Sequence, residues 1–152
     1  MFFHTAYSWF FEVIYYFPHF MAVAFLILLA MTKVPAKRLF FMRTALALTI
    51  ATVLAHVNRW FYLWPEDPFF ASGHMTFSFG IAVSMGLLRP WTLVITLPLL
   101  VPFGAELVLL GFHTVVDVLG AIPLVLGVYG ILCWLWPLQT TSPPLDTAVN
   151  SP

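Results

Sequence analysis

GFHTVVDVLGA, residues 111–121, decides how this chain is read. His113 and Asp117 stand four apart, so on a helix they lie one turn apart on the same face. A carboxylate so placed accepts from one imidazole nitrogen and fixes the tautomer. The other nitrogen is then available as nucleophile, base or ligand. About forty residues earlier, Ala71-Ser72-Gly73-His74 sets a second imidazole beside a glycine, where backbone N–H groups can approach an anion closely. The surroundings of both stretches are apolar. Two histidines and a carboxylate at the mouths of membrane segments are costly, and the default reading of that cost is function.

The composition sets the solvent. The chain has 152 residues, 62% of them hydrophobic and 8% charged, with a mean hydropathy of +0.98. Soluble domains carry roughly 25% charged residues, so the expected class is an all-α integral membrane protein. One bundle over residues 1–137 is the limit at this length, followed by a Ser/Thr/Pro-rich tail, 138–152, that reads as disordered. The formal net charge is zero, which gives no field to attract nucleic acid. The single Cys133 excludes a disulfide within the chain and reads as a packed thiol. No basic region precedes the first apolar run, as a cleaved signal peptide would require.

Five apolar spans follow in order, each measured against the roughly 20 residues needed to cross. They are Trp9–Met31 with a kink expected at Pro18, Leu39–Val57, His74–Leu88, Trp91–Leu110 interrupted by Pro98 and Pro102, and Thr114–Trp136. The connector after the second span contains Pro65 and Pro68, which forbid a continuous helix there. Lys33, Lys37, Arg38, Arg43 and Arg89 fall on one side of this arrangement and Arg59 alone on the other. The positive-inside rule then puts the 32–38 loop, Arg89 and the tail in the cytoplasm, with His74 and His113 opening outward from a plasma or inner membrane. Arg43 is placed to snorkel back toward the 32–38 loop.

Ser72-Gly73-His74 followed by a helix, then His113-(three residues)-Asp117-Val118-Leu119-Gly120, resembles the second and third motifs of the type 2 phosphatidic acid phosphatase superfamily over roughly Arg59–Gly120. Those motifs read Pro-Ser-Gly-His and Ser-Arg-(five residues)-His-(three residues)-Asp. The resemblance implies a lipid-phosphatase-like bundle of about five transmembrane helices and metal-independent chemistry with no cofactor. His113 would attack phosphorus, Asp117 would orient it, and His74 would protonate the leaving oxygen. Ser72 and the Gly73 N–H would hold a phosphoryl oxygen. The substrate implied is a phospholipid or a polyprenyl-phosphate-type lipid, with water or another headgroup as acceptor. The oligomeric state is left open.

The chain departs from that pattern at named positions. Ala71 replaces the proline, Glu106 and Leu107 replace the Ser-Arg pair, and Trp64-Pro65-Glu66-Asp67-Pro68 lies where an Arg-Pro pair is expected. Arg59 is then the one outer cation available to bind phosphate, and Glu106 is free to pair with Arg59 or a cationic headgroup. Each lost charge-assisted contact is worth about 1.5–3 kcal/mol, which favours a less charged diester, as in the related sphingomyelin synthases. Two rivals stay open. One is a catalytically inactive lipid-binding or partner subunit of the same fold. The other is a zinc-dependent hydrolase with His74, His113 and Asp117 as its three ligands. Structural readings compete too: His113 with Asp117 as a helix-start hydrogen bond, His74 as a cap-region residue, Arg59 as a snorkelling side chain, Glu106 as a buried neutral acid. His56, one turn before Arg59, is a candidate to line the site, with packing at the interface the favoured reading, and His19, His4 and Glu12 carry no signal.

Overall fold

The computed structural model describes residues 2–33, 37–61 and 71–137, with backbone alone at 2–11, 13, 14 and 58–61. Helix α1 runs Phe2–Met31, α2 Lys37–Phe61, α3 Gly73–Leu88, α4 Leu93–Leu109 and α5 Val115–Leu135, with one 3-10 turn at Pro90–Thr92. No strand occurs among the described residues. The 62–70 connector with Glu66 and Asp67, and the tail from 138, lie outside them.

Three of these helices, over Lys37–Val57, Pro90–Leu109 and Val115–Leu135, are long and apolar enough to cross a membrane, while Tyr15–Met31 and Gly73–Leu88 are shorter apolar helices. The outer surface agrees with that solvent. Val23, Ile27, Val94, Val101, Ile131 and Trp134 are all exposed, an apolar coat larger than a water-soluble monomer tolerates. Pro98 and Pro102 do not interrupt α4, which passes through both as one helix. Each proline removes one N–H and leaves the carbonyl four residues earlier without its donor. Packing supports the helix instead: Phe103 of α4 stacks on Phe17 of α1 with centroids 4.4 Å apart.

The shortest apolar helix occupies the middle. At 1.5 Å per residue, the 16 residues of α3 span about 24 Å, less than a hydrocarbon core of about 30 Å. It packs against α1, α2, α4 and α5 and is the central helix among those described. That position explains why it tolerates buried Thr76, Ser78 and Ser84. Small residues let its neighbours approach closely. A Cβ at Gly80 would come within 2.5 Å of Leu48 Cδ2, and α2 turns Ala47, Ala51 and Ala55 to the interior.

Inside this interface the hydroxyls of Ser84 and Tyr129 lie 2.6 Å apart. Both reach the Gly80 carbonyl, at 2.9 Å and 3.0 Å. Two hydroxyl protons thus serve three buried oxygens and tie α3 to α5. Tyr129→Phe is expected to cost about 0.6–1.7 kcal/mol, the range for such bonds between membrane helices. A lowered melting temperature of the detergent-solubilised protein is the check.

Arg43 does not return to the 32–38 loop. It is buried, its guanidinium lies 5.7 Å from the Phe40 ring centroid, and Nη1 donates to the Trp136 carbonyl at 3.4 Å. Trp136 is the C-cap of α5, where unsatisfied carbonyls and the negative end of the helix dipole favour a cation. Because α3 and α5 run parallel, Arg43, Lys37 and Arg89 gather at their C-terminal end. The histidine motifs open at the other end.

Candidate functional site

Two helix starts build the site. The chain leaves α4 through Gly111, whose φ of +74° is a left-handed turn conformation natural to glycine. The N–H groups of Phe112 and His113 both donate to the Leu107 carbonyl, at 3.1 and 3.2 Å, which folds His113 back over the end of α4. Thr114 then caps α5 reciprocally. Its Oγ1 accepts from the Asp117 N–H at 3.2 Å, and Asp117 Oδ2 accepts from the Thr114 N–H at 2.8 Å. This is a capping box with aspartate in the position usually held by glutamate.

The second start is Ala71-Ser72-Gly73. Ser72 caps α3: its Oγ accepts from the Met75 N–H at 3.3 Å, and its carbonyl from the Thr76 N–H at 2.7 Å. The Ser72 N–H donates to the Asp117 carbonyl at 2.9 Å. One backbone bond therefore fastens the Ser-Gly-His turn to the helix that carries His113 and Asp117. Ala71 reaches this arrangement with φ +64°, a conformation costing roughly 1–2 kcal/mol for a residue with a Cβ.

Between these turns lies a cavity of about 420 Å³ lined by Tyr15, Pro18 and His19 of α1, Thr52, Ala55 and His56 of α2, and Ala71, Gly73, His74, Phe77 and His113. His74 and His113 thus share one space large enough for a phosphoryl group. Asp117 stands behind it, 1% exposed, with Oδ2 3.8 Å from His113 Nδ1. That separation exceeds hydrogen-bond range, and the same oxygen is engaged by the Thr114 N–H. Asp117 Oδ1 is buried with no hydrogen-bond partner among the described residues. A buried carboxylate oxygen left in this state is uncommon, and catalytic hydrogen bonds often tighten only around substrate.

The other sequence candidates separate. Ser72 is fully buried with its hydroxyl turned to its own helix, and it contributes a cap and the bond to Asp117. Gly73 lines the cavity. Glu106 of α4 is not among the lining residues, and its Oε1 has no hydrogen-bond partner among the described residues. Arg59 lies in the last turn of α2, its side chain outside the described residues. No three His, Cys, Asp or Glu side chains among the described residues are grouped to hold a metal ion, so His74, His113 and Asp117 do not form a zinc triad here.

Two further histidines line the cavity: His19, read in the sequence as carrying no signal, and His56, for which interface packing is favoured there over lining the site. His56 presses on the Ser-Gly-His turn so closely that a Cβ at Gly73 would meet its Cε1 at 2.8 Å. Its Nδ1–H donates to the Thr52 carbonyl at 2.8 Å, as His19 Nδ1–H does to the Tyr15 carbonyl at 2.9 Å. The available signal was the expense of a histidine in an apolar helix, which applies to residues 19 and 56 as it does to 74 and 113. No protein-family model matches this chain, nor does any curated protein or solved structure at a significant level.

Proposed function

We propose that this chain is a five-span membrane enzyme that transfers or hydrolyses the phosphoryl group of a lipid-linked phosphate or phosphodiester through a phosphohistidine. The observation that carries the reading is the shared cavity of His74 and His113, with their two helices joined by the Ser72–Asp117 backbone bond. His113 Nδ1 faces Asp117, so Nε2 is the attacking atom. A bond forms from Nε2 to phosphorus as the bond to the leaving oxygen breaks, and His74 gives that oxygen its proton. In the second step His74 takes a proton from water or an acceptor hydroxyl, whose oxygen displaces Nε2. Asp117 stabilises the imidazolium formed in between.

A lipid substrate is supported by what adjoins the cavity. A groove of about 510 Å³ between α1 and α2, floored by Phe77 and Ile81 of α3, shares Thr52 and Phe77 with it. Phe25, Leu26, Phe41 and Leu48 line that groove, so an apolar groove adjoins the histidine-bearing chamber. The collection of basic residues at the opposite end of the bundle supports a cavity facing outward and a cytoplasmic C-terminus.

The test is a screen of the purified protein against lipid phosphates, pyrophosphates and diesters, with and without chelator. Absence of turnover on all classes would leave a lipid-binding subunit, a reading that the capping role of the Asp117 carboxylate favours. Asp117 itself separates structure from chemistry. Asp117→Asn keeps an oxygen for the Thr114 N–H and is expected to melt near wild type while losing most activity. Asp117→Ala removes the reciprocal cap as well and should lose about 1 kcal/mol of stability. Equal activity in wild type and Asp117→Asn would exclude a charge role for this carboxylate.

A further inference from the structure

Nothing in the backbone asks for glycine at position 73. Among the described glycines Gly111 alone has a positive φ, so the conformation of residue 73 is open to residues with a side chain. It is also the first residue of α3, and glycine is a poor helix former. What excludes a side chain is a neighbour. Outside its own stretch of chain, the atoms nearest to a Cβ at Gly73 would be His56 Cε1 at 2.8 Å, Nε2 at 3.5 Å and Nδ1 at 3.6 Å, all of one ring. We infer that His56 is a positioning residue: its ring edge, received by the bare Gly73, fixes the Ser-Gly-His turn and with it the place of His74 relative to His113. The consequence for catalysis rests on the phosphoryl-transfer reading above, and the placement stands apart from it.

The ring is itself anchored. Its Nδ1–H donates at 2.8 Å to the Thr52 carbonyl, one turn back on α2, and Cε1 is the edge nearest to Gly73. His56 is otherwise exposed, so the bond to Thr52 is what keeps the ring against the turn. Leucine or phenylalanine has no side-chain donor for that carbonyl. A histidine in an apolar helix thereby has a definite task.

The turn is then held from two sides. Toward α5, the Ser72 N–H donates to the Asp117 carbonyl at 2.9 Å. One hydrogen bond fixes a distance and leaves the turn free to pivot about it. Toward α2, one residue further on, the His56 edge meets Gly73 and removes that freedom. His74 follows directly. It shares the chamber with His113, whose own N–H is bonded to the Leu107 carbonyl at 3.2 Å. A misplacement of about 1 Å between reacting groups can cost on the order of 100-fold in rate, so the second contact matters to a site assembled from two helix starts.

The experiment measures the separation of positions 74 and 113 by thiol cross-linking of the full chain in nonionic detergent. His74→Cys and His113→Cys supply the thiols, Cys133→Ser removes the native one, and bifunctional thiol reagents of graded length show which spans link. With His56 and Gly73 intact, a narrow set of lengths should link. Gly73→Ala should shift that set, because the added Cβ and the anchored ring claim the same space. Adding His56→Ala should return it toward the original. His56→Ala alone should widen the set. His56→Asn keeps an N–H near the Nδ1 position without the ring edge, and should widen it as well. Melting gives a second reading: Gly73→Ala should lower the melting temperature with His56 present and not when His56→Ala accompanies it, a non-additive pair. An unshifted set in Gly73→Ala, a shift that persists in the double variant, a set as narrow as the original in His56→Ala or His56→Asn, or additive melting overturns the inference. Should Gly73→Ala fail to fold, the two His56 variants decide alone. None of these readings needs turnover. A protein that shows the shifts yet traps no phosphate keeps the positioning pair and loses the phosphohistidine, and one that traps phosphate with an invariant set does the reverse.

Discussion

His113→Ala is expected to end turnover and, with it, the acid-quench trapping of labelled phosphate seen with wild type. Among the described residues, His113 is the chamber imidazole that adjoins a buried carboxylate, its Nδ1 lying 3.8 Å from Asp117 Oδ2. Removing an activated nucleophile costs on the order of 10⁴- to 10⁶-fold, since the rest of the machinery acts through it. His74→Ala should cost less, on the order of 10²- to 10⁴-fold as for other general acids, and least with a leaving group that needs no proton. Neither change touches the α5 cap, so both variants should melt near wild type. The rival chemistries give other patterns. Inactivation of wild type by chelator, with no label trapped, would replace the phosphohistidine by a metal centre. Wild type without turnover, and lipid binding indifferent to His113, would make the chain a binding subunit.

Much of this site could be read from spacing because its two halves are local. His113 lies just before the Thr114 cap, outside the helix that carries Asp117, so the one-turn helical spacing is not realised. It and Ser72 both stand at helix starts, which the motifs announce. What spacing does not carry is what an oxygen does once it is there. Asp117 Oδ2 could serve the imidazole or the Thr114 N–H, and the closer donor is the backbone. Ser72 could serve phosphate or Met75, and its complete burial decides for the helix. His19 carries no signal in the sequence, and His56 is a candidate to line the site that reads more readily as interface packing, because only the packing of α1 and α2 around α3 brings them to the chamber. The fold was legible at its ends and less so in its middle. Prolines 98 and 102 suggested a break that interhelical stacking prevents. The short third span looked like a sunken membrane segment and is an inner post enclosed by four helices.

Ala71→Pro completes the Pro-Ser-Gly-His pattern and is expected to damage the protein. Proline holds φ near −65°, whereas Ala71 sits at +64°. A rotation of that size redirects the chain entering Ser72, whose N–H is the donor to the Asp117 carbonyl and whose side chain caps α3. Breaking both connections at a residue only 4% exposed should cost about 3 kcal/mol or more. Activity should fall in proportion to the displacement of His74 relative to His113. The opposite substitution isolates the backbone term. Ala71→Gly relieves about 1–2 kcal/mol of left-handed strain and gives back part of it through the freer unfolded chain, so a modest gain in melting temperature is expected with activity unchanged. Should Ala71→Pro instead match or exceed wild type in both stability and turnover, the turn would have to accept a negative φ. The Ser72–Asp117 bond would then lose its place as the staple between the two histidine motifs.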